Sequence, residues 1–338
     1  MTHQEILSAF EQLSGSEKRL AFNAIEASWE GREGLIADVA AEVMASRVKS
    51  MACPHCQSSN TIKRGLQKGV EKFSCKDCHK HFRSSYGTAL FRIQRKDKWQ
   101  GYLRLMEQGY SIKRAAKELG ISIQTSFDWR HKILASLQST LPTQLSGVVE
   151  CDDFQMSESL KGQRNLERKP HRRGRDSRHH HAKKVSVVTA VSRHNGGLVK
   201  LVSAKKISSK EALTALEGSL EQGTVFITDQ AASYNAISQK DKSLIHKKVN
   251  SKANRSKRQL DKIHLQTVNN QHKQIRDFLT PFNGVSTKYL PNYLNWFLYK
   301  KSQQDNSNKI ATMLMTCITA SSTSWMAKIL TNETLIRT

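Results

Sequence analysis

Four cysteines, two aspartates and one amide-rich segment hold the residue types in this chain that could do chemistry. Cys53 and Cys56 form one Cys-x2-Cys pair, and after eighteen residues Cys75 and Cys78 form a second. Each tight pair lets two sulfurs converge on one tetrahedral ion, so the double spacing predicts a structural Zn²⁺ site. A redox dithiol would need one pair. With four thiolates the coordination sphere is closed, so the site folds the chain instead of catalysing. His55 and His79, beside the ligands, are read as bystanders.

Asp152 lies in "VVECDDF" and Asp229 in "VFITDQAASY", each expected at the end of an apolar strand. Taken singly, either reads as a turn or capping residue. On neighbouring strands, their carboxylates could jointly hold Mg²⁺ or Mn²⁺, which favour hard oxygen ligands. Such ions activate an attacking water or 3′-hydroxyl and stabilise the leaving oxygen in phosphodiester chemistry. The third set is "HLQTVNNQHKQIRDFLT", residues 264–280, an expected helix carrying Asn269, Asn270, His272, Lys273 and Arg276. Residues 269, 272, 273 and 276 share one helical face.

The elements that must position these groups follow from periodicity. Strand-like segments "GVVECDDFQM", "KKVSVVTAVSR" and "GGLVKLVSAKK" precede a helix, "SSKEALTALEGSL", and a further strand, "GTVFITD". Three antiparallel strands, a helix and a strand make the opening order of a ribonuclease H-like mixed-sheet domain. Upstream, residues 96–135 follow a helix-turn-helix outline, for which an ordinary helical hairpin is the competing reading. Ser111 caps one helix, Ala115, Ala116 and Leu119 form its apolar stripe, and Gly120 ends it. A second helix starts near Ser122 to Thr125, where Gln124, Thr125 and Ser126 would face base edges. Arg130, His131 and Lys132 would reach phosphates.

The fold class expected is therefore α+β and multidomain, a small zinc ribbon and helix-turn-helix followed by the ribonuclease H-like catalytic domain. The boundaries drawn are 1–50 for a helical N-terminal segment, 51–90 for the ribbon and 91–140 for the helix-turn-helix. The catalytic domain takes 141–300 and a C-terminal tail 301–338. Basic runs at 158–184 and 246–264 read as solvated segments that order on a phosphate backbone. The three histidines at 179–181 are too close in sequence to converge on one ion. Cys151 and Cys317 are read as free buried thiols.

A formal net charge of +25 over 338 residues exceeds what solubility needs. It favours a polyanionic partner, most simply nucleic acid, through counterion release. No apolar stretch reaches the roughly 18–20 residues that span a bilayer, and the N-terminus lacks the pattern of a signal peptide. A cytoplasmic protein is the expectation, which also argues against disulfides.

These residues resemble a known family. A zinc ribbon, a helix-turn-helix and a ribonuclease H-like domain in this order look like an insertion-sequence transposase, closest to insertion-sequence family fifteen-ninety-five. The most specific pieces are "VECDDF", "TDQAASY" and "HLQTVNNQHKQIRDFLTPFNGVSTKYLPNYLNWFLY". The resemblance implies a protein that binds terminal inverted repeats and catalyses DNA strand cleavage and strand transfer with Mg²⁺ or Mn²⁺. Asp152 and Asp229 match the first two metal-binding acids, and Asp153 lies on the opposite strand face. Asn269 falls where many relatives have a third acid, Glu, and part of the family carries Asn there. A basic residue follows seven positions on, here Arg276 where Lys is commoner. Asn still offers a carbonyl oxygen to a hard cation but no charge, so Glu150 or His272 would have to add to a weak ligand set. Lys273 and Arg276 would meet the scissile phosphate, Arg bidentately. The partners implied are double-stranded DNA, both terminal repeats and target, and a second copy of the chain or more. Such a protein would lie on the nucleoid when bound. The other readings are a DNA-binding regulator or inactive domesticated transposase, which the Asn269 and Arg276 departures favour, and a ribonuclease-like nuclease. The last would not need the two N-terminal modules.

Overall fold

The computed structural model describes residues 52–67, 70–163, 183–194, 196–203, 206–250, 263–306 and 308–320, with isolated positions at 12, 14 and 166. Most of the N-terminal segment and of both basic runs lies outside the described residues. The chain divides into two units, Met1–Tyr86 and Gly87–Thr338.

In the first unit, β1 (Thr61–Gln67), β2 (Val70–Cys75) and β3 (His81–Arg83) form an antiparallel sheet in that order. The two cysteine pairs fold alike. Cys53 N–H donates to Ser58 C=O at 2.7 Å, and Cys75 N–H to Lys80 C=O at 3.0 Å. The residue after each pair, Gln57 (φ 62°) and His79 (φ 57°), adopts the left-handed conformation that closes the knuckle. Phe73 and Phe82, stacked 5.5 Å apart, supply the small core beside Cys53 and Cys75.

The second unit begins with α1 (Trp99–Glu107), α2 (Ile112–Leu119) and α3 (Ile123–Leu137). The expected punctuation is in place. Ser111 caps α2 by accepting from Arg114 N–H, Gly120 ends it at φ 57°, and Ser122 caps α3 by accepting from Thr125 N–H. Trp129 meets Trp99 and Tyr102 edge-on at 5.3 and 5.4 Å.

The sheet that follows holds β4 (Val148–Ser157), β5 (Lys184–Ser192), β6 (Gly196–Ser203), β7 (Val225–Thr228) and β8 (Ile245–Lys248), ordered β6-β5-β4-β7-β8. The first three strands form an antiparallel meander, and β7 and β8 add parallel to β4. This is the mixed sheet expected from the element order. One face buries Val149, Cys151, Val188, Ala190 and Phe226 under α4 (Ser209–Leu216) and α5 (Asn235–Lys240). On the other side, α6 (Gln266–Leu279) packs on β4 and β5, and α7 (Leu290–Ser302) on β6.

Two expectations are corrected here. Val148–Ser157 runs straight through Asp152, so the strand does not end there; only its pairing with β7 does. And 301–338 is not all tail. Its α8 (Lys309–Thr319) buries Met313, Leu314, Cys317 and Ile318 against α1 and α3. The C-terminal chain therefore supplies core to helices far upstream, which an apolar stripe of one short helix does not announce by itself. Among the described residues no helix is long and apolar enough to cross a membrane.

Candidate functional site

Asp152 and Asp229 are brought side by side by strand register. The parallel pairing of β4 with β7 ends at Cys151 opposite Thr228. The two aspartates are the next residues on neighbouring strands, whose backbones lie about 5 Å apart. Burial first, then the charges of Asp229 and Asp153, raise the Asp152 carboxyl to about 6 against a hydrogen bond from Asp153 N–H. Asp229 Oδ1 accepts from Ala231 N–H at 3.0 Å, which fixes the turn after β7. Thr228 Oγ1 donates to the Asp229 carbonyl at 2.8 Å and also meets His246 Nε2 at 2.8 Å. Among the described residues neither Asp152 nor Asp229 has a salt-bridge partner. Two adjacent, half-buried carboxylates without a cation fit a divalent ion by the chemistry of their donor set.

Alternation along β4 sorts its side chains. Val149 and Cys151 enter the core under α4 and α5, and Asp153 on that same face accepts from the Tyr234 hydroxyl at 3.2 Å. Burial raises the Asp153 carboxyl while this hydrogen bond opposes the shift. Glu150, Asp152 and Phe154 therefore share the face under α6. Glu150 accepts from Thr267 N–H at 2.8 Å and Val268 N–H at 3.2 Å. Phe154 lies 4.5 Å from the His272 ring and 4.9 Å from the Arg276 guanidinium carbon. The four-residue step along β4 and the nine-residue step along α6 are both roughly 13 Å. Asp152, midway between these two anchors, thus looks onto the middle of α6.

On that helix Val268, Gln271, His272 and Ile275 are buried, whereas Asn269, Lys273 and Arg276 are exposed. The shared face expected for 269, 272, 273 and 276 is thereby divided: His272 faces inward. Burial, then the Arg276 charge, lowers the His272 ring to about 4, so it is neutral. Among the described residues, the only group of three or more cysteine, histidine, aspartate or glutamate side chains close enough to share an ion is the four cysteines. Among the described residues no third acid completes the Asp152–Asp229 pair, and Glu150 is committed elsewhere.

Those cysteines converge. Cys53 and Cys78 sulfurs are 3.6 Å apart, as are Cys56 and Cys75, and all four lie within 4.8 Å of one another. A disulfide needs about 2.05 Å, whereas a tetrahedron of Zn–S bonds near 2.3 Å has edges of about 3.8 Å. The site fits the ion that the spacing predicts.

The helix-turn-helix expectations divide. Gln124 is exposed and donates to Asp128 at 2.9 Å, and Thr125 is half-buried. Ser126 and Arg130 are corrected: both are fully buried. Ser126 Oγ donates to Ile112 C=O at 2.9 Å, and Arg130 Nη2 to Tyr110 C=O at 2.7 Å with its guanidinium over Trp296. His131 is buried too, lowered to about 3 by burial and by Arg130. Lys132 donates to Phe91 C=O at 2.6 Å. The reason is tertiary. Ser126 faces α1 and α2, while α7 and α8 cover the second half of α3, leaving open only the outer side of its first turn.

Sequence reasoning missed three residues that act together at this site: Glu150 as an anchor, Arg193 and Thr267. The signal was the two-residue alternation in "VVECDDF", which puts Glu150 on the face of Asp152.

The geometry describes a mixed-sheet domain that presents two paired aspartates to a polar helix. Residues 144–302 match the family model described as the ISXO2-like transposase domain. Over those residues, a little under half of its length, the chain is similar to that transposase domain. A protein of Halobacterium salinarum named as an uncharacterized protein in transposable element ISH50 is 23% identical over 282 residues, covering 79% of this chain and 91% of that one. Among solved structures, the Mos1 strand transfer complex is 12% identical over 69% of this chain and 77% of that chain, at a TM-score of 0.29. The Mos1 transposase paired-end complex with left transposon end is 11% identical over 63% and 78%, at 0.22. At such TM-scores the likeness carries no argument.

Proposed function

We propose that this chain binds the terminal inverted repeats of an insertion sequence and catalyses metal-dependent strand cleavage and strand transfer. The observation that carries the reading is the register of β4 and β7, which sets Asp152 and Asp229 together opposite α6. The order β6-β5-β4-β7-β8 supports a ribonuclease H-like domain. Asp152 and Asp229 hold Mg²⁺ or Mn²⁺, and Asn269 contributes a neutral carbonyl oxygen. The bound ions supply activation of the attacking hydroxyl or water and stabilisation of the leaving oxygen.

The remaining residues bind and orient DNA. Arg276, held over the Phe154 ring, offers a planar fork to a phosphate, and exposed Lys273 a point charge. Gln124 and Thr125 open the exposed first turn of α3 to base edges, while the cysteine site, holding Zn²⁺, organises the ribbon that carries Lys63, Arg64 and Lys72. Terminal repeats and target DNA are the partners, with two or more copies acting together in the cytoplasm on the nucleoid. The neutral Asn269 favours a second reading, a DNA-binding protein that no longer cleaves. A strand-transfer assay on the element's own ends with Mg²⁺ or Mn²⁺ separates the two. Cleavage lost in Asp152→Ala and Asp229→Ala with binding kept supports the first; tight binding without cleavage by the natural chain overturns it.

A further inference from the structure

Among the described residues of the second unit, a dense buried polar cluster lies away from the two aspartates. Glu150, fully buried in the middle of the sheet, gathers donors from two other elements. Its Oε1 accepts from Arg193 Nε at 2.8 Å and Nη2 at 2.7 Å, and from Thr267 Oγ1 at 2.8 Å. Its Oε2 accepts from the backbone N–H groups of Thr267 at 2.8 Å and Val268 at 3.2 Å. His264 Nδ1 lies 3.3 Å from Oε1.

This arrangement solves a local problem. Leu265 at the N-cap of α6 has no side chain that can accept from the first turn. Those N–H groups would otherwise be unpaired in a covered helix end. A carboxylate 117 residues earlier in the chain takes them instead, where the helix dipole also favours negative charge. Two backbone bonds to one carboxylate oxygen fix the position of the first turn, and the Thr267 hydroxyl fixes its rotation.

The consequence reaches the candidate site through two short, stiff links. Asp152 is two residues beyond Glu150 on the same face of β4. Asn269 is two residues beyond Thr267 in the helix. Locking Glu150 to Thr267 and Val268 therefore sets where Asn269 stands relative to Asp152. We propose that Glu150, braced by Arg193, is a positioning residue that holds Asn269 in register with the Asp152–Asp229 pair. A neutral ligand makes this necessary, because Asn contributes no charge to draw the helix onto the cation.

The inference rests on the metal-site reading above, and the test separates the two. Mn²⁺ affinity of the full chain is measured by electron paramagnetic resonance, beside its melting temperature, with no DNA or turnover involved. Thr267→Val keeps the side-chain shape and both backbone bonds but removes the hydroxyl; Glu150→Gln keeps the size and one carbonyl acceptor. Both are expected to remain folded and to bind Mn²⁺ about tenfold more weakly, the scale of an outer-shell loss. Combined with Asn269→Ala, Thr267→Val should cost little more, because the two changes act through one ligand. Mn²⁺ affinity unchanged in folded Thr267→Val and Glu150→Gln overturns the positioning role, as does full additivity with Asn269→Ala. If Asp152→Ala and Asp229→Ala leave Mn²⁺ binding intact, the metal-site reading itself fails. Should Glu150→Gln not fold, Thr267→Val decides alone.

Discussion

Replacing Asp152 by Asn should stabilise the metal-free protein while disabling it. Burial and the neighbouring Asp229 and Asp153 charges raise the Asp152 carboxyl from its ordinary 3.8 to about 6. A folded value above the unfolded one means the folded state holds the proton more tightly. The penalty is absent below about pH 3.8, grows between 3.8 and 6, and is complete above 6. A difference of roughly two pH units at 1.36 kcal/mol each gives about 3 kcal/mol at pH 8, and about half of that at pH 5. Asn removes the charge, and its carbonyl can still accept from Asp153 N–H as Asp152 Oδ1 does at 2.9 Å. For a unit of this size such a gain corresponds to roughly 5 °C or more in melting temperature. The assay is thermal unfolding of wild type and Asp152→Asn in EDTA at pH 5 and pH 8, then with millimolar Mg²⁺. The variant should melt higher in EDTA, by more at pH 8 than at pH 5, and Mg²⁺ should raise wild type only. A variant that melts at or below wild type at pH 8 without metal would refute the claim that burial and the neighbouring carboxylates destabilise ionised Asp152.

Four other outcomes test separate parts of the structure. Chelation of the ribbon ion, or Cys53→Ser, should unfold residues 52–86 and weaken recognition of the transposon ends, read by loss of bound zinc and by a binding titration. Asn269→Ala should reduce Mn²⁺-supported cleavage by about tenfold or more, and equal activity would remove Asn269 from the ligand set. Arg130→Ala should lower stability by about 3 kcal/mol, through lost packing under Trp296 and an unpaired Tyr110 carbonyl, without changing the salt slope of DNA binding. A slope reduced by about 1 would show that the guanidinium does meet a phosphate. Gly197→Ala should destabilise, since its added carbon would stand 3.1 Å from the Ala190 carbonyl and from Gln271 Nε2, and an unaltered melting temperature would show that α6 can shift to admit it.

What the sequence discloses depends on how far apart the interacting groups lie. Ser111, Gly120 and Ser122 are legible because a cap is satisfied within three or four residues. The strands around Asp152 and Asp229 are legible because an apolar run of β-branched residues announces itself locally. Their adjacency was only inferable from element order, and it took the β4–β7 register to establish it. Ser126 and Arg130 misled for the opposite reason. Ser126 turns inward onto Ile112 and Tyr102 of the two preceding helices, and α7, more than 150 residues later, covers Arg130. Arg130 accordingly became a core residue, where its flat guanidinium lies over an indole instead of on a phosphate.

Glu150 shows the same limit at the site. Its charge type and its place beside Asp152 suggest a spare ligand, and nothing local indicates that its donors come from Arg193 and Thr267. Yet the alternation in "VVECDDF" already separates two roles. Residues 149, 151 and 153 serve the core face, while 150, 152 and 154 serve the helix face. Along that second face the strand makes an anchor, the proposed ligand Asp152 and a second anchor in succession. Glu150 binds the helix start and Phe154 lies under His272 and Arg276. A carboxylate held between two fixed points of one helix has its distance to that helix set by the scaffold, which is what the proposed role of the neutral Asn269 requires where charge would otherwise have to draw the helix in.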